Sequence, residues 1–100
     1  MSNPLKVSSE IGQSFHIAQR AMADLKAAVF TVLQNGPEDG MRNADISRLL
    51  GLHSGHAGHE GHITRTVIAL METDGVLVQD ASTKCWSLRF PDSRDDNVAS

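Results

Sequence analysis

The chain has 100 residues, 40% of them apolar and 21% charged, the composition of one soluble globular domain. Nine Lys+Arg against twelve Asp+Glu give a net charge of −3, which excludes a uniformly basic protein that grips nucleic acid with its whole surface. The lone Cys85 excludes an intramolecular disulfide and a four-Cys zinc site. It fits a reducing cytoplasm, and no segment approaches the ~18 apolar residues of a membrane span. A cytoplasmic protein with no membrane partner is therefore expected.

Residues 1–8 read as a flexible leader, 9–90 as the folded domain and 91–100, polar and acidic, as a disordered tail. The run 9–34 predicts a long first helix. Ile11, Phe15, Ala18, Met22, Leu25, Val29, Val32 and Leu33 recur at helical spacing. Ser8 or Ser9 can cap its start. Gly36, as a left-handed cap, and Pro37 end it. A core of this size needs only the turns from about Met22 onward. The earlier apolar residues are left without an intrachain partner, which points to pairing with a second copy through Ile11, Phe15, Ala18 and Met22.

After a polar bend, Asn43 is the expected cap of a second helix over 44–51. Ile46, Leu49 and Leu50 should face inward, and Asp45, Ser47 and Arg48 outward. A Gly- and His-rich connection, 52–61, leads to a third helix over 62–74, closed by Gly75. Two strands follow, 76–80 and 84–90, joined by a turn at Ala81-Ser82-Thr83. Trp86, Leu88 and Phe90 fall on one face of the second strand, and Trp86 reads as core.

The stretches NADISRLLGL (43–52), HITRTVIALMETDGVLVQD (62–80) and KCWSLR (84–89) together resemble a winged helix-turn-helix domain of small bacterial transcription regulators. The resemblance covers about half the chain. It implies a mainly α fold with a small β-hairpin: three helices, the first of them long, plus a wing. It also implies double-stranded DNA as partner, with the third helix in the major groove and the hairpin on the backbone. The connection 52–61 is longer than the three- or four-residue turn usual between the last two helices.

On a helical projection of the third helix, Ile63, Val67, Leu70 and Met71 form the expected buried stripe. Arg65, Ala69 and Glu72 lie opposite, flanked by His62, Thr64, Thr66 and Ile68. Arg65 can pair with guanine, Thr64 and Thr66 can reach phosphate or a thymine methyl, and Ala69 permits close approach. Arg42, Arg48, Lys84 and Arg89 are candidate phosphate contacts. Arg48 and Asp45, three apart, can instead pair only with each other. Segment 41–90 carries five cationic and five acidic residues, so it is neutral, and a single copy should bind DNA weakly.

His53, His56, His59 and His62 stand three apart, with glycines between them. Three readings are open. The histidines can form a Zn or Ni site. His59 and His62 can face phosphate beside the third helix. The segment can also be a plain exposed loop. No nucleophile–base set, Gly-rich phosphate loop or H-E-x-x-H motif is present, so no enzyme and no required cofactor are expected. A protein-binding winged helix is the alternative from another class, supported by Ile68 near the outward face of the third helix. A metal-responsive regulator using 53–62 is a further one.

Overall fold

The computed structural model describes residues 8–53 and 61–90. The leader 1–7, the tail 91–100 and residues 54–60, with His56 and His59, lie outside them. Three helices, α1 (Ser9–Asn35), α2 (Asn43–Leu49) and α3 (His62–Thr73), precede a two-stranded antiparallel hairpin. In that hairpin β1 (Leu77–Gln79) pairs with β2 (Trp86–Leu88), Leu77 opposite Leu88 and Gln79 opposite Trp86. The fold is thus mainly helical with one hairpin. Among the described residues, no helix is long and apolar enough to cross a membrane.

α1 starts where its cap places it. The Ser8 hydroxyl accepts from the Ile11 amide at 3.2 Å, so Ser8 is part of the folded unit rather than the leader. The helix stops differently from expectation. Gly36 is extended (φ −93°), not left-handed. Glycine is needed there for close approach, because a Cβ would lie 2.9 Å from the Val32 carbonyl oxygen and 3.1 Å from the Met41 sulfur. The Asn35 amide instead donates to the Thr31 carbonyl at 2.8 Å.

α2 begins at Asn43 itself, with Arg42 in the cap position and no side-chain cap. Asn43 is diverted: its amide donates to the Gly61 carbonyl at 3.3 Å, tying α2 to the start of α3. α2 and α3 end alike. The Leu52 amide reaches back to the Ser47 carbonyl and the Val76 amide to the Met71 carbonyl, while the Gly51 and Gly75 amides donate to the Arg48 and Glu72 carbonyls. These are Schellman terminations, and Gly75 has the expected positive φ (80°).

The core joins Val29 and Leu33 of α1, Ile46 of α2, Val67, Ile68 and Met71 of α3, and Leu77 and Leu88 of the hairpin. This corrects the inward faces of two helices. On α3 the buried set is Thr64, Val67, Ile68 and Met71, while Ile63 and Leu70 are 44% and 40% exposed. The stripe is turned by about 60° from the purely apolar projection at 100° per residue. On α2, Ser47 is fully buried and Leu49 is 64% exposed. The reason is steric: Ser47 and Thr64 are small, and they allow α2 and α3 to approach closely near Gly61, where larger side chains would hold the backbones apart. Phe90 lies past the end of β2 and is exposed, contrary to the expected core face.

Candidate nucleic-acid interface

The hairpin has a further partner on its outer edge. Met41 and Trp86 exchange backbone hydrogen bonds of 2.9 and 2.7 Å, so the bend before α2 is bound to β2. This carries Arg42 to the hairpin turn, where its Nε donates to the Thr83 carbonyl at 3.1 Å. The turn is held by Asp80. Its carboxylate accepts from the Ser82 amide (2.8 Å), the Ser82 hydroxyl (2.7 Å) and the Thr83 amide (2.9 Å). The Thr83 amide, then the Ser82 hydroxyl and amide, lower the Asp80 pKa to about 2. Lys84 follows in a left-handed conformation (φ 66°).

Two adjoining clefts open between α3, the start of α2 and the hairpin. One, of ≈320 Å³, is lined by Arg42, Arg65 and Lys84 together with Asn43, Ala44, Gln79 and Trp86. The other, of ≈290 Å³, runs along α3 past Arg65, Ala69 and Glu72 and shares Asn43, Arg65, Gln79 and Trp86 with the first. Gln79 and Trp86 sit opposite each other in the ladder, so their side chains share one face. Three cations thus surround one concave surface, with Glu72 at its far end.

Of the expected contact residues, the fold brings Arg42, Arg65, Ala69 and Lys84 together. His62 and Thr66 are exposed on the outermost face of α3, and the Thr66 hydroxyl donates to the His62 carbonyl at 3.1 Å. Thr64 is a correction: it is fully buried and cannot touch a groove. Ile68 is another, being 1% exposed rather than near the outward face. Arg48 sits 3.8 Å from Asp45 in an exposed pair and is not among the residues bordering the clefts. Asn43, Gln79 and Trp86 were not read as site residues. Trp86 is half-buried, packing one side on the core and giving the other to the clefts. The alternation of β2 marked its inward side only.

The His-rich connection enters the description at its two ends. His53 is half-buried, with Nδ1 close to Gly61. Gly61 has φ 77°, and a Cβ there would lie 2.8 Å from Asn43 Nδ2 and 3.0 Å from Ser47 Oγ. Among the described residues, Asn43 Oδ1, Ser47 Oγ, His53 Nδ1 and Thr64 Oγ1 are buried without a hydrogen-bond partner. His56 and His59 lie outside the described residues. Among those described, no group of three or more His, Cys, Asp or Glu could hold a metal ion.

Comparison of the chain with protein-family models, curated proteins and solved structures finds no match. The described residues by their own geometry form three helices and a two-stranded hairpin, with a basic cleft between the hairpin and the third helix.

Proposed function

We propose that the chain is a winged helix-turn-helix protein that binds double-stranded DNA and regulates transcription as a homodimer, without an active site of its own. α3 enters the major groove, and the hairpin 76–90 lies along the backbone. The observation that carries this reading is the convergence of Arg42, Arg65 and Lys84 on one cleft beside the exposed face of α3. The burial of Val67, Ile68 and Met71 turns Arg65 and Glu72 toward the hairpin, so one surface offers a guanine-reading side chain and two phosphate contacts.

The test is duplex binding by fluorescence anisotropy, on sequences selected from random DNA. Arg65→Ala is expected to weaken binding by roughly 5- to 150-fold, the range of one bidentate base contact. Two phosphate contacts per copy would give a salt slope of about −1.8 per copy. Equal binding by Arg65→Ala and wild type across about 50–200 mM salt would overturn the reading.

A protein-binding role is the second reading. It loses Ile68, which is buried, but gains Ile63 and Leu70, which share an exposed side of α3. Arg65→Ala separates the two, because this second side does not include Arg65. The role of residues 53–62 as a metal sensor rests on four histidines, of which His56 and His59 lie outside the described residues.

A further inference from the structure

Among the described residues, none outside α1 covers the apolar face of its N-terminal half. Ile11 and Phe15 are 57% and 60% exposed, Ala18 is exposed, and Met22 is half-buried against the core. These four residues follow the alternating four–three spacing of a coiled-coil seam, and Leu25 and Val29 continue it without a break. The geometry points to a second copy of this chain as the occupant, its α1 antiparallel to the first, with Phe15 of each copy packed on Ala18 of the other. This deepens the homodimer named above and does not depend on DNA reading.

Direction follows from the core. Met22, Leu25, Val29 and Leu33 already seat the chain's own helices and hairpin on the same stripe. A parallel partner would run along that stripe into the volume the core fills. An antiparallel partner leaves in the other direction, past the start of α1.

The layers fit the same arrangement. The two-fold axis that sets Phe15 against Ala18 also sets Ile11 against Met22. Each layer then joins a bulky side chain to a small or flexible one. The seam is flanked by Gly12, Ser14, Gln19 and Ala21, none of them charged. Nothing lies within 4 Å of a Cβ built on Gly12, so the partner's backbone has open access there. Glu10, His16, Arg20 and Asp24 fall on the outer positions, where no like charges meet across the seam.

A seam of two heptads buries on the order of 800 Å², below the ~1,200 Å² of stable specific interfaces. Pairing of the free chain is therefore weak. Two copies held on adjacent half-sites would gain from their raised effective concentration.

Sedimentation equilibrium of the full chain without DNA, from about 10 to 500 μM, tests the pairing. The average mass should climb toward twice the chain mass, and Phe15→Ser should hold it at the single mass with the helical circular dichroism unchanged. Direction is tested in a Cys85→Ser background under mild oxidation. A mixture of Ile11→Cys and Met22→Cys chains should form the disulfide at least tenfold faster than Ile11→Cys chains alone, because in the antiparallel pair the two Ile11 positions lie about 16 Å apart along the axis. A constant single mass over the whole range overturns the pairing. Equally fast self-linkage of Ile11→Cys overturns the direction. Either result leaves the Arg65 test of DNA reading unaffected.

Discussion

The two halves of α1 carry the same pattern and meet opposite fates. Ile11 and Phe15 stand eighteen residues before Val29 and Leu33. Eighteen residues are about five full turns, so each pair lies on one line of the helix, about 27 Å apart. Val29 and Leu33 are 1% and 7% exposed, while Ile11 and Phe15 are more than half exposed. Periodicity therefore reports which side of a helix is apolar. It does not report whether anything has come to cover that side. Coverage depends on chain length and topology: α2, α3 and the hairpin together span only the turns from Met22 onward.

Breaking that contrast gives the largest expected effect. Leu33→Ala should cost about 2–5 kcal/mol in urea unfolding, as truncations of buried leucines do. Phe15→Ala, on the same line of the helix, should stay within about 0.5 kcal/mol at low micromolar concentration, where the chain is single. A comparable loss at Phe15 would mean that the N-terminal half is covered after all.

The boundary between the halves is marked by Lys26, whose Nζ lies 3.4 Å from the Asp74 carboxylate beyond α3. Both groups are partly exposed, so Lys26→Met should change stability by less than about 1 kcal/mol, and the difference should shrink further in high salt.

The smallest effect is that of acid. Glu10, in the first turn of α1, has its pKa lowered from 4.5 by its own backbone amide and then by the Ser8 hydroxyl. A pKa lowered by folding stabilises above the unfolded value and ceases to do so as the pH falls through the folded one. The first turn of α1 should therefore fray below about pH 4.5, seen as faster amide exchange at 11–13, while amides near Val29 stay protected. Asp80, lowered to about 2, should release the hairpin turn between about pH 4 and 2 by the same rule.

Much of this fold was legible in the sequence because local chemistry fixes it. Ser8 caps α1 through its hydroxyl, Gly75 ends α3, and Asp80 folds the turn that Ala81-Ser82-Thr83 was expected to make. Arg65 and Ala69 were legible as neighbours, because spacing placed both away from the apolar stripe; Arg42 and Lys84 stood only among the candidate phosphate contacts, with Arg48 and Arg89, and no spacing brought them to Arg65. Thr64, Ser47 and Ile68 were misplaced for one reason. A projection ranks residues by polarity, whereas two crossing helices select for size, and a small hydroxyl can lie at a crossing that leucine cannot enter.

The sequence by itself determined the order of the elements, the Ser8-capped start of α1, the glycine end of α3 and the length of the apolar stripe on α1. Each depends on residues a few positions apart. Only the tertiary structure decided the rotation of α2 and α3, the bond between Met41 and Trp86 that brings Arg42 to Lys84, and the point at which the stripe on α1 passes from core to surface. These depend on groups far apart in the chain, such as Met41 and Trp86 or Val29 and Leu88, whose meeting is set by volume and by the directions of backbone hydrogen bonds.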